Sequence, residues 1–217
     1  FVNDTLQNLF VLSFQKPYDD TVLAIISSLC GINDRILHMN DSQIILIRSS
    51  KLPLSPEKSR EIASALSDTL LADAYTRVHI SYYKSCQSLA ELLLAYTRSM
   101  AANRIGSYSF SSNIHPYMNL GLAGIAALLS EEKSKEFLKD QLKGFSFMSL
   151  DEEMRTTIRA FLDCDLSVSD AASKLFIHRN TLNYRLDKFE KQHGLNLRSF
   201  SDAALVQLAI FIESGLS

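Results

Sequence analysis

The chain has 217 residues, enough for one large domain or two small ones. Its 47% hydrophobic and 21% charged residues match ordinary globular proteins and exclude a disordered or fibrous chain. Twenty-two Lys and Arg against 24 Asp and Glu leave a net charge of −2. That balance excludes a protein that coats nucleic acid through bulk positive charge, but not one that reads DNA with a single helix. Cys30, Cys86 and Cys164 lie far apart with no C-x-x-C, which reads as buried thiols in a reducing compartment. The five histidines form no H-E-x-x-H, so no metal and no cofactor is expected. Opening on Phe1 reads as an excised or processed fragment.

In chain order, Leu9 to Phe14 (LFVLSF) is a short apolar run that predicts a buried strand. Asp20 to Leu29 carries apolar residues at helical spacing, with Gly31 as the stop. Arg35 to Met39 and Gln43 to Arg48 flank Asn40-Asp41-Ser42, the pattern of a β-hairpin. Ser55-Pro56-Glu57 opens a helix to about Leu71, because Ser caps and Pro fits the first turn. Thr76 to Tyr82 alternates as a strand. Ser88 to Asn103 is helical, with Leu89, Leu92, Leu93, Tyr96 and Met100 on one face, read as core packing. The order β-α-β-β-α-β-α predicts an α/β sandwich with helices packed on one mixed sheet.

The uncharged, Ser-rich stretch 106–116 reads as the exit from this first domain. Only helical periods follow, at about 117–130, 131–142, 151–163, 167–175, 179–193 and 201–214. The longest apolar run, Met118 to Leu129, is about half of the ~20 residues that a membrane span needs. It reads as a buried helix, and the chain as cytoplasmic with no membrane partner.

The segment that carries chemistry is Leu166 to Gly194. Ser167 caps a short helix, whose Ala171 and Ala172 permit close contact with a neighbour. Phe176 and Ile177 turn the chain, and a helix from 179 runs to His193 before Gly194. These are the parts of a helix-turn-helix. At about 100° per residue, Leu182, Leu186 and Phe189 fall within about 60° and face a core. The remaining circumference carries amides, a hydroxyl, a phenol and cations, the groups that read base edges and grip phosphates. The candidate DNA-binding residues are His178, Arg179, Asn180, Thr181, Asn183, Tyr184, Arg185, Lys188 and Lys191. Residues 178–193 are locally basic, whereas 151–217 hold 8 basic and 10 acidic residues. The basic character is confined to this helix.

The run Ala171-Ala172-x-x-Leu175-Phe176-Ile177-His178-Arg179-Asn180-Thr181-Leu182-x-Tyr184-Arg185-Leu186 resembles the C-terminal helix-turn-helix of PucR/CdaR-type bacterial transcriptional regulators. The similarity extends upstream through 148–163 and Leu120-Gly121. It implies a GGDEF-like α/β domain at 1–110, connecting helices at 111–149 and a DNA-binding domain at 150–217. It also implies a regulator, often of catabolic genes, that binds double-stranded DNA as a homodimer or higher oligomer. An effector would be sensed upstream of Phe1. Such a protein is not an enzyme. A cyclase would need glycines and metal-binding acids on the hairpin turn, and Met39 to Gln43 offers only Asp41, better read as a turn residue. The alternative is a protein that binds or cyclises a signalling nucleotide, with the helical tail as an adaptor.

Three roles stay open on sequence alone. His178 fits a base reader, a cap or a packing residue. Arg185, beside the apolar face, fits an internal ion pair or a phosphate contact. The apolar excess of Leu205, Leu208, Ile210, Phe211 and Ile212 fits core completion or a dimer interface. His38 and His79 read as sheet residues, and Asp151-Glu152-Glu153 as first-turn charge on a helix.

Overall fold

A computed structural model describes residues 5–109, 112–142 and 145–216, with backbone alone at 108 and 109. The chain divides into two compact units, Phe1–Ala127 and Leu128–Ser217. The first has α+β character, and the described elements of the second are all helices.

The first unit follows the order β1 (Leu6–Phe14), α1 (Asp20–Ser28), β2 (Arg35–Asn40), β3 (Gln43–Ser50), α2 (Pro56–Ala74), β4 (Val78–Tyr82), α3 (Leu89–Ser109) and β5 (Ile114–Pro116). The five strands form one mixed sheet in the order β2-β3-β1-β4-β5, in which only the β4–β5 pair is parallel. Because side chains alternate along a strand, β1 feeds two cores at once. Phe10, Leu12 and Phe14 pack with Ile44, Leu46, Val78 and Ile80 against Val22 and Ile26 of α1 and Leu66 and Leu70 of α2. Leu9 and Val11 face the other way with Ile45, and meet Leu92, Tyr96 and Met100 of α3. The sheet is therefore covered on both faces. Leu89 and Leu93 of α3, read above as core, are instead exposed.

Caps fix the helix starts. Asp19 Oδ1 accepts from the Val22 amide at 3.0 Å, and Ser55 Oγ from the Lys58 amide at 3.2 Å. At the hairpin, Asn40 Oδ1 accepts from the Ser42 amide at 2.9 Å, which shapes the turn that Asp41 occupies.

The exit differs from expectation. Among the described residues of 106–116, 114–116 form β5 beside β4, while Phe110 and Ser111 lie outside the description. The helix expected at 117–130 is broken into a 3-10 turn (Tyr117–Asn119) and a short α4 (Leu122–Ala126). Gly121 at φ 55 separates them, a left-handed residue that a continuous helix cannot hold. Met118, Leu122 and Ile125 are exposed, so this segment is not a buried helix. The segment read as connecting helices thus begins with a strand.

The second unit holds α5 (Glu131–Leu142), α6 (Glu152–Asp163), α7 (Val168–Lys174), α8 (Arg179–His193) and α9 (Phe200–Leu216). Its core gathers Phe147, Ile158, Phe161, Leu182, Leu186, Phe189 and Val206, with Ala171 and Ala172 of α7 set among them. Small side chains at 171 and 172 let α7 lie close to its neighbours, as the sequence anticipates. Ile210, Phe211 and Ile212 of α9 are buried, while Leu205 and Leu208 are half-buried. Between these alternatives the burial of Phe211 and Ile212 favours packing over a free face. The Glu213 carboxylate, also buried, accepts from the Phe147 and Met148 amides at 3.3 and 2.9 Å. Among the described residues, no helix is long and apolar enough to cross a membrane.

Candidate nucleic-acid interface

The turn between α7 and α8 sets the direction of α8. Phe176 takes φ 55, and the Ile177 amide donates back to the Ala172 carbonyl at 3.0 Å. This closes α7 with a left-handed residue at the position where Gly is usual. Phe176 itself is 97% exposed. His178 then caps α8, its Nδ1 accepting from the Asn180 amide at 3.2 Å. Of the roles open to His178, capping is thus occupied, and it takes up one of the amides free at the helix start. Gly194, at φ 69, ends α8.

The core side of α8 is Leu182, Leu186 and Phe189. Directly opposite, Asn180, Thr181, Tyr184, Lys188 and Lys191 lie within an arc of about 100° and are all exposed. Arg179 is exposed at the first position of the helix. Among the described residues, Arg179, Lys188 and Lys191 form no ion pair. They are cations without an internal partner, on a helix whose opposite side is fixed in a core.

The two remaining candidates point elsewhere. Arg185 is turned to α6, where Nη2 meets Glu153 Oε1 at 2.6 Å and Nη1 donates to Thr157 Oγ1 at 3.0 Å. Asn183 Oδ1 accepts from Arg198 Nη2 at 3.0 Å. Their angular positions explain this: residues 183 and 185 flank the buried arc, within reach of neighbouring elements.

Arg198 escaped the sequence reading. It lies in the loop after Gly194, and besides Asn183 it meets Asp187 Oδ1 at 2.9 Å. Asp187 is the acid beside the exposed stripe, so Arg198 neutralises the charge that would most repel a phosphate. No local pattern marks an Arg eleven positions beyond its partner across a helix end.

Behind α8, Phe145 packs edge-on to Phe189 with centroids 5.5 Å apart, and His193 lies 5.0 Å from Phe145. Burial lowers the His193 pKa from its ordinary value. The C-terminal end of α8 is thus packed on the Phe189 and His193 side, while Lys188 and Lys191 stay exposed on the other.

Residues 154–212 match the PucR C-terminal helix-turn-helix domain. The chain is 25% identical over 197 residues to the proline-responsive transcriptional activator PutR of Bacillus subtilis, covering 86% of this chain and 48% of that protein. It is 28% identical over 134 residues to the purine catabolism regulatory protein of the same organism, covering 61% of this chain and 25% of that protein. The chain thus spans between a quarter and a half of these relatives' length. A regulator of polyketide synthase expression from Bifidobacterium adolescentis superposes over 97% of this chain and 82% of its own, with 17% identity and a TM-score of 0.40.

Proposed function

Since residues 154–212 form a PucR-type C-terminal helix-turn-helix domain, we propose that the protein is a DNA-binding transcriptional regulator of catabolic genes. The observation that carries this reading is the stripe of Asn180, Thr181, Tyr184, Lys188 and Lys191, exposed opposite the buried side of α8. In this reading Arg179 and Asn180, at the leading end of the helix, meet base edges in the major groove. Thr181, Tyr184, Lys188 and Lys191 meet phosphates and fix the register. His178 holds the helix start, and Arg185 and Asn183 hold the helix in place.

The first unit we read as a degenerate GGDEF-like domain, on the β-α-β-β-α-β order of its elements. Its hairpin turn, Asn40-Asp41-Ser42, has one carboxylate and no glycine, so this reading assigns it no nucleotide turnover. We take 150–217 as the DNA-binding part and the cytoplasm as its place of action. One helix touches few base pairs, so the reading requires two copies on one operator.

Selection of binders from randomised duplex DNA by the 217-residue chain tests this. The expected product is a defined motif repeated with centres about 34–36 Å apart or a multiple of that. Selection that enriches no motif contradicts it.

A further inference from the structure

The first unit has an open cavity of about 280 Å³ at the far end of β4. Strand register separates it from the hairpin turn. Ser13 of β1 pairs with Gln43 and Phe14 with Val78, whereas Phe10 pairs with Tyr82. The turn therefore lies by the start of β4, and the cavity by its end.

Its walls combine fixed aromatic surface with cations. Tyr82, Tyr83 and Lys84 contribute from the end of β4, Glu57 and Arg60 from the first turns of α2, and Met118 from the segment after β5. Tyr83 is held rigidly. Its hydroxyl accepts from Arg98, whose guanidinium lies 4.8 Å from the ring centroid, and the Tyr117 ring meets it edge-on at 5.6 Å. Tyr82 is 5% exposed. Burial raises the Tyr82 pKa, and the nearby positive charge of Arg60 opposes that rise.

The charges around the cavity are not balanced internally. Arg60 and Lys84 form no ion pair among the described residues. Among the described residues of the lining Glu57 is the one acid, and it stays a carboxylate at the first turn of α2. Hydrogen bonds from its own amide and from the Ser55 hydroxyl hold its carboxyl below the usual range. Two cations against one carboxylate leave the lining net positive, beside the buried Tyr82 phenol, the polar Ser59 and Asn119, and the apolar Leu54, Pro56, Pro116 and Met118.

We propose that this cavity binds a small organic carboxylate and gives the regulator a ligand input within this chain. The carboxylate meets Arg60, Lys84 and the Tyr82 hydroxyl, which offer charge-assisted hydrogen bonds. The carbon body lies against Tyr83 and Met118. About 280 Å³ falls at the lower edge of the range for ligand pockets, which suits a metabolite of amino-acid size and not a nucleotide. An apolar wall beside the cations favours an acid with a carbon body over inorganic phosphate.

Isothermal titration of the 217-residue chain without DNA tests this, so its outcome is separate from that of DNA binding. The probes are acetate, butyrate, succinate, glutarate and glutamate, with butyramide and succinamide as uncharged controls and inorganic phosphate as an ion control. The expected result is saturable one-to-one binding of at least one acid, with none by the amides. Arg60→Gln and Lys84→Gln should each weaken it by about tenfold, and Tyr82→Phe by a smaller factor. Arg60 and Lys84 are exposed, so thermal unfolding of those ligand-free variants should match the parent. Absence of saturable binding by every acid overturns the proposal. Phosphate binding as tight as the acids, or binding unchanged by both charge variants, overturns it as well.

Discussion

Arg185 of α8 and Glu153 of α6 meet at 2.6 Å, with Thr157 adding a second bond to the same guanidinium. The Arg185 side chain is 17% exposed and that of Glu153 is 66% exposed, so solvent screens the pair. Its contribution to stability is at most about 1 kcal/mol. What it does is fix the roll of α8 about its own axis, and with it the direction of the opposite stripe.

Arg185→Ala should therefore lower stability by no more than about 1 kcal/mol and weaken DNA binding without changing its salt dependence. A cation that neutralises a phosphate contributes about 0.9 to the slope of log affinity against log salt. Fluorescence anisotropy over a salt series separates the two. A slope reduced by that amount in Arg185→Ala would show that the guanidinium leaves Glu153 for the DNA.

The sequence carried the helix-turn-helix well because its evidence is local. Ser167, Gly194 and the spacing of Leu182, Leu186 and Phe189 each act within a few residues, and α8 runs over the 179–193 expected. The roles of Asn183 and Arg185 were less legible, since residues beside a buried arc depend on what stands next to them. Arg198 was invisible for the same reason. In the first unit the strands of the hairpin and β1 were readable from alternation. The second face of the sheet was not, because LFVLSF is apolar on both sides and does not say that two layers cover it. Gly121 and Gly124 in the run 118–129 gave a signal against one continuous helix, and apolarity masked it.

A stacked imidazole pair, His115 buried and His79 half-buried, predicts a pH response. His79 Nδ1 and His115 Nε2 lie 3.0 Å apart, and the rings stack at 15° between adjacent strands β4 and β5. Burial, and then the neighbouring His79, lower the His115 pKa from 6.5 to about 4. Burial lowers that of His79 too. The unfolded chain thus binds more protons between these values, and stability is full above about pH 6.5 and falls towards pH 4. The loss from His115 approaches about 3 kcal/mol. Urea unfolding across this range should show it, and His115→Gln should flatten the profile. An equally steep profile in that variant would place the response elsewhere.

Gly106 sets the room for the same imidazole. A Cβ at this position would stand 2.2 Å from His115 Cγ. In an open helix Gly→Ala stabilises by up to about 1 kcal/mol. Here overpacking, worth about 1–3 kcal/mol, outweighs that gain. Gly106→Ala should lower the urea midpoint, and a raised midpoint would mean that His115 can move aside without cost.

Phe176 should behave in the opposite way. Its side chain is 97% exposed, so little packing is at stake, yet its φ of 55 suits glycine. A left-handed residue with a Cβ costs about 1–2 kcal/mol, and a β-branched one more. The expected order of stability is Phe176→Gly at or above the parent, and Phe176→Val below it. Thermal unfolding of the three proteins checks the order, and a sharp loss in Phe176→Gly would reveal a contact made by the ring.

In the proposed function the leading end of α8, Arg179 and Asn180, reads bases, and the rest of the exposed stripe, Thr181 to Lys191, grips phosphate. Anisotropy of the 217-residue chain on its selected site and on a scrambled duplex, each over a salt series, tests this most directly. Arg179→Ala and Asn180→Ala should each lose about 1–3 kcal/mol on the selected site and little on the scrambled one. Lys188→Ala and Lys191→Ala should weaken both duplexes alike and reduce the salt slope by about 1. Four variants with one common effect on both duplexes, or with none, would contradict the account.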